Sequence, residues 1–255
     1  MNHLSSAVAT LLVPLLLALA PSAYAAEGST PVAASKPREV LVFGGTGALG
    51  AEIVRRLVAQ GERVTVFARP ASDRSRLDGL AVDWVVGDLM NPPDIDDAFR
   101  GRQVDVVITA VRVEDRDIHF YEKFMQPLTA AARAAGATQF IHSGSVGAGA
   151  NAAKFQHLGW EKIPGLLDRM KDQGVGEDIL RASGLTYTII RNSRVWPDGT
   201  PATGKATLVE DDGYIGPVAR PDLAVLTVSC LGNAACYGKT YHVRDDTLTW
   251  PPPRN

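Results

Sequence analysis

The sequence predicts an α/β fold, a doubly wound parallel sheet within a single domain, and three observations predict it. Short apolar runs recur along the chain with helix-periodic stretches between them, the alternation that produces parallel strands with helices on both faces. The first run, Glu39-Val40-Leu41-Val42-Phe43, passes directly into glycines spaced Gly44-x-x-Gly47-x-x-Gly50. The chain has 255 residues, 45% of them hydrophobic, and a net charge of −2. That supplies one full-sized core. So balanced a charge suggests no nucleic-acid or other polyanion partner.

The elements follow in order. After the glycines, Leu49, Ile53, Leu57 and Val58 recur at helical spacing. Gly61 stops that helix, and residues 63–67 read as the second strand. Residues 84–86 form a third strand and 94–99 a short helix. The buried-looking run 104–111 is a fourth strand, followed by a helix over 120–135. Residues 139–142 make a fifth strand, 165–182 hold one or two helical segments, and 186–191 make a sixth. The later part of the chain is rich in loops and suits a small C-terminal substrate lip. Trp160, Trp196 and Tyr214 fall in that part, although amphipathic aromatics pack there just as ordinarily.

The N-terminus does not belong to this fold. Residues 7–20 are an uncharged apolar run of signal-peptide length, and Ala23-Tyr24-Ala25 supplies an Ala-x-Ala cleavage site. The expectation is export to the periplasm or beyond, with residues 1–25 removed, 26–37 a linker and 38–255 the domain. A retained membrane anchor and a misassigned start are the alternatives, because the first residues lack Lys and Arg. The run is short for a membrane span, so no stable span is expected after cleavage. In an oxidising compartment Cys230 and Cys236 could pair. Cys230 lies in the apolar run 226–231, which makes a buried free thiol the plainer reading. No Cys/His cluster has metal-ligand spacing, so no metal is expected.

Ligands of such sheets sit outside the carboxyl ends of the strands, so the residues following each strand are the candidates. Gly44-Gly45-Thr46-Gly47-Ala48-Leu49-Gly50 has the spacing of a dinucleotide cradle. Gly44 would turn the chain at positive φ, Gly47 would admit a pyrophosphate against the backbone, and Gly50 would let the helix lie close to the first strand. The helix N-terminus would present its free N–H groups to the phosphates. After the second strand stands Arg69, where an NAD site usually carries an acid. A guanidinium there matches a 2′-phosphate, which favours NADP while leaving NAD possible; Arg74 and Arg76 could add positive charge. Asp88 could accept from adenine, with Leu89 packing on the ring, or simply make a turn. Ala110 and Val111 are small enough to run beside a nicotinamide ribose. Ser143 and Ser145 offer hydroxyls where the reacting end should lie, although capping or turn roles suit them nearly as well.

Together these residues resemble the atypical short-chain dehydrogenase/reductases, in particular the NmrA-like NAD(P)-binding proteins and the small flavin/biliverdin-IXβ reductases. The likeness spans about residues 38–244. It rests on the motifs at 44–50, 86–89, 143–145, 180–191 and 216–224. It implies a Rossmann-type domain in which Gly44, Thr46, Gly47, Ala48, Leu49 and Gly50 hold the pyrophosphate, Arg69 the 2′-phosphate and Asp88 the adenine. Ser145 matches the active-site serine, and Arg220 and Asp222 match a structural pair that begins a helix. Glu177 matches a helix position that is Glu in many relatives.

The resemblance stops at the acid/base pair. Typical members use Tyr-x-x-x-Lys, but no tyrosine occurs between Glu122 and Thr186. His157, Lys162 and Lys171 are conceivable replacements that read more ordinarily as solvated side chains. Hydride transfer to a flavin- or quinone-like acceptor needs no such pair, because solvent can supply the proton. The sequence therefore leads to an NADP(H)-dependent oxidoreductase acting on a small planar molecule. A non-catalytic dinucleotide-binding sensor or interaction protein is the alternative. A nucleotide-sugar epimerase or dehydratase comes third, since that chemistry normally needs the tyrosine.

Overall fold

A computed structural model describes residues 36–112 and 119–250. The expected leader and most of the expected linker lie outside the described residues. Eight strands form one sheet, and its centre follows from the sequence periodicity. β1 (Glu39–Phe43) pairs in parallel with β2 (Arg63–Ala68) on one side and β4 (Val106–Thr109) on the other. β3 (Asp83–Val86) flanks β2, while β5 (Gln139–Ser145) and β6 (Tyr187–Asn192) continue beyond β4. The order is thus 3-2-1-4-5-6, that of a doubly wound dinucleotide fold.

Alternation along β1 assigns its side chains to two layers. Val40 and Val42 face α1 (Ala48–Ala59) and α5 (Arg220–Ser229). Leu41 and Phe43 face α2 (Pro92–Phe99), α3 (Phe120–Ala134) and α4 (Leu166–Ala182). All four are essentially removed from water, which is why the strand reads as a continuous apolar run. Each such side chain contributes roughly 1.5–3 kcal/mol on burial. α1 ends as the sequence foretells. Gly61 takes φ +82, its N–H donates to Val58 O, and the Glu62 N–H donates back to Leu57 O. This left-handed cap stops the helix and satisfies its last carbonyls.

Three features depart from the sequence reading. The fifth strand does not stop at His142: Ser143, Gly144 and Ser145 pair with Ile190, Arg191 and Asn192, so both serines belong to strand backbone rather than to a free loop. The expected lip is largely sheet. β10 (Lys239–Arg244) adds in parallel to β6, and β8 (Thr207–Val209) adds antiparallel to β10, while β7 (Arg194–Val195) and β9 (Pro217–Val218) make a separate pair. Short polar strands of this kind carry little periodicity.

Finally, Cys230 and Cys236 form a disulfide with their Cα atoms 5.5 Å apart, and this corrects the free-thiol reading. Gly232, at φ +68, reverses the chain after α5 and brings Cys236 back. Gln139 clamps that reversal: its Nε2 donates to Cys230 O at 2.8 Å, and its Oε1 accepts from Gly232 N at 2.9 Å.

Candidate active site

The turn after β1 is built around missing side chains. Gly44 adopts φ +81, and a Cβ there would lie 2.6 Å from the carbonyl oxygen of Ala110. Its backbone therefore packs directly on the segment leaving β4. A Cβ on Gly50 would lie 2.1 Å from Gly44 O, so α1 can start against the strand end only with glycine at that position. Gly45 is buried beneath Val66, whereas Gly47 is exposed at the tip. Gly47 is the N-cap of α1 and offers no side-chain cap, and the first turn carries no acidic residue. The leading N–H groups of α1 thus keep both their donors and their partial positive charge. A diphosphate fits this cradle on chemistry and on space.

Arg69 follows β2, exposed and with no ion pair among the described residues. Its neighbours are engaged elsewhere. Arg74 lies over the Trp84 ring at 4.5 Å, and Arg76 shares Asp198 with Arg220. Arg76 is thus paired with a carboxylate, whereas Arg74 keeps its positive charge over the Trp84 ring. Asp88 makes the turn after β3, its Oδ1 accepting from Met90 N at 2.9 Å. Leu89 packs half-buried against the α2–α3 layer.

The sequence reading expects the reacting end where β4 and β5 finish. A cleft of about 390 Å³ opens there, walled by Ser145 from β5, by Tyr121 from α3, and by Leu166, Arg169, Met170, Asp172 and Gln173 from α4, with Arg112 beyond β4. Ser145 Oγ faces Met170 Sδ at 3.4 Å. Ser143 does not wall the cleft; its Oγ accepts from Asn192 Nδ2 at 3.1 Å. Of the two serines, Ser145 alone wall-lines this space. His157, Lys162 and Lys171 are exposed and outside its lining. Trp160 packs on Phe155 with ring centroids 5.3 Å apart, so it is core.

Tyr121 lies one residue before the interval without tyrosine, and sequence reasoning passed over it. Its ring is buried against Phe120, Phe124 and His142. The hydroxyl donates to Val111 O at 3.2 Å and accepts from Gln173 Nε2 at 3.4 Å. Burial pushes its pKa up to about 12, so the phenol stays protonated at any physiological pH. On α4, the pairs spaced i, i+4 that face the cleft are Leu166/Met170 and Arg169/Gln173. None of these can act as a phenol–amine couple.

A buried network supports the serines from behind. Glu177 is fully buried and holds Arg191 (Nη2 to Oε2, 2.6 Å) and Arg181 (2.8 Å). Its Oε1 would lie 2.6 Å from a Cβ on Gly144, which explains the glycine between the serines. Next to it, His142 Nδ1 shares a 2.7 Å hydrogen bond with Thr109 Oγ1. Burial lowers the His142 pKa to about 4, so the ring is neutral. α3 has no side-chain cap of its own. Asp172 on α4 supplies one, its two oxygens accepting from Tyr121 N and Glu122 N at 2.8 and 3.1 Å.

A glycine cradle and a hydroxyl-lined cleft at one edge of a doubly wound sheet define a dinucleotide-binding α/β protein. The chain belongs to the NAD(P)H-binding family, whose profile matches residues 44–234. It is 40% identical over 131 residues to the sterol demethylase protein B of Methylococcus capsulatus, a match covering 49% of this chain and 40% of that relative. The chain thus spans less than half the length of that relative. Its fold is similar to that of ChuY, an anaerobilin reductase of Escherichia coli (TM-score 0.66, 23% identity, 83% of this chain and 98% of the other). It is also similar to a short-chain dehydrogenase/reductase of Veillonella parvula solved with NADP (TM-score 0.68, 15% identity, 85% and 98%).

Proposed function

We propose that this chain is an NADP(H)-dependent reductase that delivers hydride to a small planar acceptor in the cleft beside Ser145. One observation carries the reading. The uncapped N-terminus of α1 and the cleft open on the same edge of the sheet and are joined where Gly44 packs on Ala110 and Val111.

In this reading the backbone amides of Gly44-Gly45-Thr46-Gly47-Ala48-Leu49-Gly50 hold the diphosphate. Arg69 holds the 2′-phosphate, Asp88 and Leu89 border the adenine, and Ala110 and Val111 run beside the nicotinamide ribose. The bound cofactor would supply a hydride to a conjugated acceptor. The chain's part is to orient the two rings and exclude side reactions. Ser145 would donate a hydrogen bond to the acceptor, and Tyr121, held protonated, would keep Val111 in place. The proton that completes reduction comes from water, since no phenol–amine couple faces the cleft among the described residues. The reductases among the relatives favour this reading, including an NAD(P)H azoreductase of Xenophilus azovorans. The missing couple is what favours the second reading, a sensor that binds the cofactor without turnover.

The test is NADPH oxidation against a panel of flavins and quinones, read as loss of nicotinamide absorbance, with Ser145→Ala as comparator. Turnover that falls in the variant supports catalysis; tight binding with no turnover across the panel supports the sensor. Arg69→Asp should weaken NADPH at least 10-fold while leaving NADH nearly unchanged, and equal losses would remove the 2′-phosphate assignment. The apolar leader and a disulfide made from the chain's two cysteines support export. Sequencing the N-terminus of the native protein tests cleavage after Ala25.

A further inference from the structure

Resting on the reductase reading, we propose that the acceptor is an anion: a planar ring bearing a carboxylate or phosphate, whose charge is held by Arg169 at the wall of the cleft. Arg169 is half-buried on α4 and has no ion pair among the described residues. Other arginines near this edge are matched: Arg181 and Arg191 with Glu177, Arg76 and Arg220 with Asp198. Among the described residues the one carboxylate in the lining, Asp172, is directed at the backbone N–H groups that open α3. A half-desolvated guanidinium that no carboxylate pairs with is a poor structural element and a good anion receptor, because its planar fork matches carboxylate and phosphate oxygens.

The cofactor's own phosphates do not account for this arginine. Arg69 follows β2, whereas Arg169, on α4, lines the cleft beside Ser145 at the end of β5, and β1 and β4 lie between those strands. At about 4.8 Å per strand the two arginines serve positions roughly 14 Å apart across the sheet edge. The remaining wall carries the complementary chemistry. Leu166, Met170 and the Tyr121 ring make an apolar slot, and Ser145 and Gln173 supply polar groups. The volume of about 390 Å³ falls in the range of small-ligand pockets, about 300–1,000 Å³.

Riboflavin and flavin mononucleotide share one ring system and differ by a phosphate, so they are the probes. With saturating NADPH, the wild-type protein should show the higher kcat/KM for flavin mononucleotide. Arg169→Gln should lower the flavin mononucleotide-to-riboflavin ratio at least 10-fold, chiefly through KM. Arg169→Lys should recover part of that loss, and the exposed control Arg100→Gln should leave the ratio unchanged. Equal use of the two flavins by the wild type, or an unchanged ratio in Arg169→Gln, overturns the proposal. So does an equal loss of NADPH affinity, which would assign Arg169 to the cofactor. Should neither flavin be reduced, fluorescence titration of both into the NADP-loaded protein decides. An Arg169-dependent preference for the phosphorylated flavin keeps the anion site while the reductase reading falls; no preference sinks the anion site itself.

Discussion

Two glycines in one turn separate what the fold needs from what a ligand needs. A Cβ on Gly50 would meet Gly44 O at 2.1 Å and Gly45 Cα at 2.7 Å. The first distance is roughly 1 Å or more short of van der Waals contact. Both obstacles are backbone, so no side chain can rotate away and α1 must shift as a whole. Forced overpacking of this kind costs about 1–3 kcal/mol. Against it stands the preference of a helix for alanine, at most about 1 kcal/mol. The cost wins, so Gly50→Ala should lose about 1–2 kcal/mol, a melting decrease of roughly 3–6 °C for a domain of this size. Gly47 is the opposite case. Its φ of −71° and ψ of 165° suit any residue, and a Cβ would meet only Gly44 O, at 3.2 Å. Gly47→Ala should therefore melt within about 1–2 °C of wild type, because the entropy gain offsets a mild contact. Yet it places a methyl where a diphosphate would rest, and NADPH affinity by calorimetry should fall at least 10-fold. A Gly50→Ala protein that melts at or above wild type refutes the steric argument. A Gly47→Ala protein that binds NADPH normally refutes the cradle.

Three further outcomes follow from the buried chemistry. Glu177→Ala leaves Arg191 buried without its carboxylate, which should cost about 3–5 kcal/mol in denaturant unfolding; a loss under 1 kcal/mol would mean that water reaches the arginine. His142 has its pKa lowered from 6.5 to about 4 by burial, so the unfolded chain binds the proton more readily than the folded one. Stability is whole above pH 6.5 and declines by up to about 3 kcal/mol as pH falls through that window towards 4. The difference between wild type and His142→Asn should reproduce that decline, and a pH-independent difference would contradict it. Replacing Cys230 and Cys236 together by serine removes a short covalent loop. That should cost about 2 kcal/mol, or roughly 5 °C in melting temperature, and a reductant should lower the wild-type melt to match; a reductant without effect would sink the claim.

The parts of this fold legible in the sequence are those in which one physical demand dominates. From Val40 to Phe43 β1 is buried on both faces and so is uniformly apolar, α1 carries a single apolar stripe, and Gly44, Gly50 and Gly61 stand where a Cβ or a negative φ would break the backbone path. Residue type and spacing suffice for such features. The cleft is of another kind. Tyr121, Arg169 and Gln173 come from two helices whose faces are aligned by Asp172, a residue of α4 that caps α3 from 50 and 51 positions away in sequence. No local pattern encodes that alignment, since an Asp at mid-helix reads as a solvated side chain. The same holds for Glu177, whose burial is tolerable only because Arg181 and Arg191 reach it from a helix turn and from β6. Long-range satisfaction of buried polar groups therefore decides this site, and it becomes visible only when the donors and acceptors are counted in space. The same counting singles out Arg169, a half-buried guanidinium at the cleft with no carboxylate paired to it among the described residues, as the place where an acceptor's charge would complete the account.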